Sequence, residues 1–504
     1  MSQTAIDPVG QSVMLSFAGT QATAELRAAL AQTRAAGVIL FAHNIGTPAE
    51  LHALCTALQS CAAELRLPPL LIAIDQEGGI VSRLPAPFVT PPSQMAQAAT
   101  DDPVAAYACA QVTGQQLRAY GVNVNFAPVL DVNNNPANPV IGTRAFGADP
   151  ATVTRFGLAA LRGYRETGVV ATAKHFPGHG DTTIDSHLDL PVLDHERARL
   201  DQIELAPFKA AIAAGVPAIM TAHIVFNALD DCPATLSRRV LRGLLRGELG
   251  FTGVVFTDAL DMRAIADHYG KAEAAVRAKA AGTDVVLPLG TLAEQVAVVE
   301  ALRDALRHDR IPLGDFVVTA QRLNTLRASY RITHSLPPYA EPDSALLEPV
   351  LAVARRSITV RDAQGILPLP SDARLTLIDC LLPRFSLVEE EVERADRLRS
   401  LVQAAFPGAI SLTLQPEASD DELAQTLDIA RTSEVLFLVT RNACFVEQQA
   451  QLAAMLAHLE QPLIHAAVRN PQDADRLPNA AVSILTYGDP PLSLRAMVDV
   501  LRGV

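Results

Sequence analysis

The sequence predicts an α/β protein: a (β/α)8 TIM-like barrel followed by a smaller open α/β sandwich domain. Three observations lead there. At 504 residues the chain exceeds what one ordinary core organises, so two domains are expected. Short apolar runs recur eight times through the first 290 residues, with helical patterns between them. A proline-bearing stretch at 333–344 then interrupts the alternation, which resumes on a smaller scale beyond it.

The eight runs are VMLSFAG (13–19), VILFAHN (38–44), LLIAIDQ (70–76), VNVNFAPVLDV (122–132), VVATAK (169–174), AIMTAHIVF (218–226), GVVFTDAL (253–260) and DVVLPLG (284–290). Each is almost continuously apolar, as a parallel strand covered on both faces must be. Between them, AELRAALAQTRAAG (24–37) and DQIELAPFKAAIAAG (201–215) carry helical periodicity and end in glycine, a common helix stop. An open doubly wound sheet is the alternative, but no G-x-G-x-x-G follows the first strand. A last helical run covers 291–330, and THSLPPYAEPDS (333–344) reads as a linker. Beyond it SITVRD (357–362), LTLIDCL (375–381), ISLTL (410–414), EVLFLVT (434–440), LIHAAV (463–468) and VSILTY (482–487) read as strands. LVEEEVERADRLRSLVQAAF (387–406) reads as one of the helices separating them. The expected division is a barrel over 1–335, a linker over 336–344 and a second α/β domain over 345–504.

The formal net charge of −13 argues against a nucleic-acid or anionic-membrane partner and is otherwise a solubility feature. No window approaches eighteen consecutive apolar residues, so no membrane span is expected. The opening MSQTAIDPVGQSVMLSF has neither a basic nor a long apolar region, which reads as no signal peptide and a cytoplasmic location. The six cysteines are scattered, with no C-x-x-C pair, and read as free thiols in a reducing compartment.

In a barrel of this kind the C-terminal strand ends and the loops after them form the active face. Polar groups gather there. The third strand runs into Asp75, Gln76 and Glu77; the fourth into Asp131; the fifth into Lys174 and His175. The sixth carries His223, and the seventh ends at Asp258. Taken singly, a strand-end Asp is more often a helix N-cap and a lone His a satisfied packing residue. Their joint placement on five strands of one barrel is what points to an enzyme.

The stretch KHFPGHGDTTIDSH (174–187) holds three of the chain's twelve histidines. His175 and His179 have a metal-ligand spacing only if helical, and Pro177, Gly178 and Gly180 forbid that helix. No metal or organic cofactor is expected. Glycoside chemistry needs a carboxylate below the anomeric carbon and a proton donor above the leaving oxygen, and both residue types are present. A non-catalytic sugar-binding protein that kept the pocket is the remaining alternative.

KHFPGHGDTTIDSH, with IDQEGGIVSRL (74–84), GTRAFG (142–147), MTAHIVF (220–226) and FTDALDM (256–262), resembles glycoside hydrolase family 3, and specifically its β-N-acetylglucosaminidase branch. The resemblance covers roughly residues 10–330; ARRSITVRDAQGILPLP (354–370) extends it more loosely into the tail. It implies that Asp258 is the nucleophile of a retaining hydrolase and that His187, partnered by Asp185, is the acid/base. It implies that Asp75, Arg83, Arg144, Lys174 and His175 grip the sugar hydroxyls, and that Met220 and His223 line the same pocket. Residues i and i+2 of an extended chain project to one side, so Asp185 can reach His187 across Ser186. Asp261 shares a face with Asp258 only in a helix, and Asp258 lies nearer the apolar strand. The implied substrate is an N-acetylglucosamine-containing glycoside or muropeptide. Because a histidine would not repel phosphate as a carboxylate base would, phosphorolysis by the same residues stays open. So do the aglycone and the oligomeric state. With the acid/base on the first domain, the second need not supply one; Glu447 is the one carboxylate there that remains a candidate.

Overall fold

All eight apolar runs of the first part of the chain form parallel strands of a single sheet. The computed structural model describes residues 7–382, 384–389 and 395–504. The strands are β1 (Met14–Leu15), β2 (Gly37–Leu40), β3 (Leu71–Ile74), β4 (Val124–Asn125), β5 (Val170–Phe176), β6 (Ala218–Thr221), β7 (Val254–Ala259) and β8 (Val285–Leu287). They neighbour one another in chain order. A parallel bridge from Val13 to Val286 brings the first and last strands together, so the sheet closes on itself as a barrel.

The alternation of side chains explains why the strands are apolar throughout. On β3, Leu71 and Ala73 join an inner cluster with Met14, Val124, Phe126 and Phe256, whereas Ile72 and Ile74 pack into the cluster shared with the surrounding helices. Both faces are therefore removed from water. Phe126 and Phe256 meet edge to face, with centroids 5.3 Å apart.

Two strands are shorter than their apolar runs. The run 122–132 pairs regularly only at Val124–Asn125. Pro128 has no N–H for the ladder, and the Gln94 side chain takes the N–H of Val129 instead. The run 218–226 stops at Thr221; Val225–Phe226 leaves the barrel to pair with Val192–Leu193. His223 lies in the break between them.

The second sheet contains β9 (Thr359–Asp362), β10 (Leu375–Cys380), β11 (Ile410–Leu414), β12 (Val435–Thr440), β13 (Leu463–Ala467) and β14 (Val482–Leu485). Its spatial order is β9-β14-β13-β12-β10-β11, and only the edge strand β9 runs antiparallel to its neighbour. Separate apolar clusters cover its two faces. At the C-terminal ends of these strands lies a buried chain of charges. Arg441 bonds Asp379 at 2.5 Å and Asp489 at 3.1 Å, and Arg469 reaches Asp489 at 3.4 Å and Glu389 at 3.0 Å.

The stretch 333–344 is tacked down on the barrel. His52 Nε2 meets the Pro337 carbonyl at 2.8 Å, and the Tyr120 hydroxyl donates to the Ala340 carbonyl at 3.2 Å. The helix Leu347–Ser357 then packs on the barrel helices Gln94–Ala99 and Val104–Ala119 and on the final helix Pro491–Arg502.

The helix expected over 387–406 is a correction. It spans Ala395–Ala405, while 387–389 are not helical and 390–394 lie outside the described residues. The acidic run is drawn the other way at its start. Glu389 pairs with buried Arg469, and its N–H closes a turn on the Ser386 carbonyl. No helix among the described residues is long and apolar enough to cross a membrane.

Asp489 answers two buried guanidinium groups at once. Asp489→Ala should therefore destabilise the protein by about 3–5 kcal/mol, read from denaturant unfolding. A cost below about 1 kcal/mol would mean that the charge chain is not structural.

Candidate active site

At the C-terminal mouth of the barrel, charged residues sit almost out of reach of water and must satisfy one another. Glu77, two residues past Asp75 at the end of β3, accepts two hydrogen bonds from Arg144, from Nε and from Nη2, both at 2.9 Å. Lys174, on β5, contacts Glu77 at 2.7 Å and Asp75 at 2.6 Å. Burial opposes the charge on Glu77, but the two cations outweigh it and hold its carboxyl well below the ordinary range. By the same attraction, and against its own burial, Lys174 is pushed further toward the charged form.

Asp131 organises the next ring of contacts. Its Oδ2 lies 2.7 Å from His175 Nδ1, and its Oδ1 accepts the backbone N–H groups of His175 and His179 at 3.1 and 2.7 Å. One buried carboxylate thus fixes both the ring of His175 and the start of the histidine-rich loop. His179 is held by Thr182 on Nδ1 and Ser186 on Nε2. Burial, then the nearby His175, lower it to about 4, so it is a neutral structural residue of the loop. With these nitrogens committed to protein partners, the four-residue spacing of His175 and His179 is spent on loop geometry.

The loop ends in the pair drawn from sequence. His187 Nδ1 lies 2.7 Å from Asp185 Oδ1, which also accepts the His187 N–H at 2.9 Å. That leaves Nε2 as the nitrogen available to a ligand. Burial raises Asp185, but its bonds with His187 win and hold it at about 2, so it stays ionised beside the ring. Asp258, at the end of β7, accepts the Ala259 N–H at 2.8 Å. Burial pushes it up, yet the imidazoles of His175, His223 and His187 and that N–H draw it down to about 2.

One cavity of about 350 Å³ joins these groups. Asp75, Arg83, Arg144, Lys174, His175, His187, Met220 and Asp258 all line it. Its size falls within the range of small-molecule clefts. Asp185 stands behind His187. His223 departs from its expected position: it is outside the lining, with Nδ1 on Thr235 and Nε2 on the Ala259 carbonyl, so it packs against the residue after Asp258. Asp261 is exposed and lines the cavity beside the helix Arg263–Tyr269. Glu447 is exposed on a helix of the second domain and bonds Gln451, outside the lining. A larger cavity, about 980 Å³, adjoins the segments that lead into β5, β6 and β7, at the other end of the barrel. Its Arg118 and Arg165 occupy the last turns of their helices, where a cation complements the helix dipole.

Part of the wall was not legible in sequence. Arg384, Leu387 and Val388 of the second domain line the same cavity. The Val388 carbonyl accepts a hydrogen bond from Arg83 at 2.9 Å, and Ser386 donates to Asp185 Oδ2 at 2.9 Å. No local pattern marks these residues, because their partners lie 200 or more residues away.

A closed parallel barrel whose mouth holds a strand-end carboxylate and a carboxylate-oriented imidazole in one sugar-sized cleft fits a glycoside hydrolase. Residues 7–326 match the family model described as the glycosyl hydrolase family 3 N terminal domain, and the chain belongs to that family. It is 32% identical over 92% of its length to a protein named beta-hexosaminidase A from Pseudoalteromonas piscicida, of which it covers 80%. It is 38% identical to a beta-hexosaminidase from Alkalilimnicola ehrlichii over 65% of this chain and 93% of that one. A solved glycoside hydrolase family 3 beta-N-acetylglucosaminidase from Paenibacillus sp. superposes with a TM-score of 0.94 at 39% identity, covering 100% of this chain and 97% of the other.

Gly180 lies where the loop passes the barrel wall, and a Cβ there would come within 1.8 Å of the Val132 carbonyl oxygen. Gly180→Ala must displace the loop that carries Asp185 and His187. Displacements of about 1 Å cost on the order of 100-fold in rate, and a loss of that order in kcat/KM is expected. Unchanged kinetics would mean that the loop's position does not matter to the chemistry.

Proposed function

We propose that this glycoside hydrolase is a retaining exo-β-N-acetylglucosaminidase working by double displacement. Asp258 attacks the anomeric carbon while His187 Nε2–H gives its proton to the departing oxygen. A glycosyl ester forms on Asp258, and His187 then takes a proton from the water that releases the sugar. Asp185 orients the ring and balances the imidazolium charge. Asp75, Arg83, Arg144, Lys174 and His175 hold the sugar, and Met220 supplies an apolar contact. The observation that carries this reading is that Asp258 and His187 line one cavity, Asp258 held ionised and His187 held by its carboxylate partner. The names of the relatives support an N-acetylhexosaminide as substrate.

The reading extends to N-acetylglucosamine units of peptidoglycan fragments, processed in the cytoplasm. The six free cysteines, of which Cys55, Cys61, Cys109 and Cys380 are buried, suit a reducing compartment. In this assignment residues 1–335 are the catalytic unit, 336–344 the linker and 345–504 the second domain.

A 5-fluoro N-acetylglucosaminide should leave a covalent sugar on the peptide bearing Asp258, seen by mass spectrometry; label on Asp75 or Asp131 would overturn the assignment. Turnover of an aryl N-acetyl-β-glucosaminide with and without phosphate should yield free sugar in both cases. Sugar 1-phosphate instead would convert the hydrolase into a phosphorylase.

A carboxylate is charged above its pKa, so Asp258, at about 2, remains a competent nucleophile well into acid. With an aryl leaving group that departs without a proton, kcat/KM should stay level from pH 7 down to about pH 4. An acid limb centred near pH 5 would show that the nucleophile sits in a different environment.

A further inference from the structure

Asp185 is shared between the two domains. Its Oδ1 serves His187 twice, through Nδ1 and the backbone N–H. Its Oδ2 accepts the hydroxyl of Ser386 at 2.9 Å, and both residues are only 6% exposed. An ionised carboxylate can only accept, so Ser386 is the donor and its bond fixes the rotation of the carboxylate plane. Without that donor Oδ2 would be left short of a partner in a dry site, and the carboxylate could turn to share Oδ1 and Oδ2 differently with the ring.

Ser386 is itself held from both sides. Val388, two residues on, accepts from Arg83 of the barrel, and Glu389 pairs with Arg469 at the head of the buried charge chain. Phe385, one residue before, packs against Phe445 of the second domain with centroids 5.2 Å apart. A hydroxyl anchored in this way is set by the folded second domain and not by the mobile rotamers of an exposed loop.

We propose that Ser386 is a positioning residue for proton transfer: the second domain holds the Asp185–His187 pair in its working orientation through this one hydroxyl. The proposal rests on the reading of His187 as the proton donor. It gives the second domain a part in the chemistry without a residue that touches the reacting atoms.

The test compares kcat/KM for two aryl N-acetyl-β-glucosaminides, one with a dinitrophenyl leaving group and one with an unsubstituted phenyl, in Ser386→Ala, Ser386→Thr and His187→Ala. Ser386→Ala should lose about tenfold on the phenyl substrate and less than about twofold on the dinitrophenyl one. Ser386→Thr, which keeps the hydroxyl, should recover most of the loss. Equal losses on both substrates, or none, in Ser386→Ala while His187→Ala shows the leaving-group split would overturn the positioning role alone. If His187→Ala itself shows no split, the proton-donor reading fails instead. Should Ser386→Ala not fold, Ser386→Cys, similar in size and a weak donor, carries the same comparison with the same outcomes.

Discussion

Lys174 and Arg144 bring two positive charges into a barrel mouth nearly sealed from water, and Glu77 is the carboxylate that answers both. Most of the site follows from that compensation. Buried charges without partners would cost several kcal/mol each, so the three side chains have little freedom apart from one another. Asp75 is drawn in by the same lysine and is thereby turned toward the cavity. A polyhydroxylated ligand entering here meets donors and acceptors whose orientation is already determined, which is the condition for binding without reorganisation.

Asp131 extends this order into the irregular part of the chain. A loop interrupted by proline and glycine has no regular hydrogen bonding of its own. The carboxylate at the end of the neighbouring strand supplies acceptors for two of its N–H groups. His179 then ties the middle of the loop to Thr182 and Ser186, and the loop delivers Asp185 and His187 at its end. The Asp185–His187 pair is therefore positioned through a succession of buried polar contacts that starts on the rigid strands. The second domain completes the enclosure. Its own buried arginines and carboxylates hold the turn at 386–389, and that turn covers one side of the cavity.

The fold was legible to an unusual depth because parallel strands buried on both faces write themselves as apolar runs. All eight runs of the first part and all six of the second became strands. Errors fell where side chains, not backbone periodicity, decide the path. Pro128 and the Gln94 amide cut β4 short, and the acidic start of 387–406 followed Arg469 instead of continuing the helix. His223 shows the same limit at the site. Its residue type and strand position suited a pocket wall, but both ring nitrogens are taken by Thr235 and the Ala259 carbonyl, and it stands behind the cavity lining.

The amino-acid sequence alone determined the barrel, the second sheet and the identity of the residues gathered at the strand ends, because period, glycine stops and motif spacing are local properties. The pairing of Glu77 with two cations, the role of Asp131 beneath the loop, the bond of Ser386 to Asp185 and the entry of Val388 into the cavity wall were decided only in three dimensions. Those contacts join residues dozens to hundreds of positions apart. Their free energy comes from excluding water around charges, and no local pattern records which distant partner will meet a charge once water is gone.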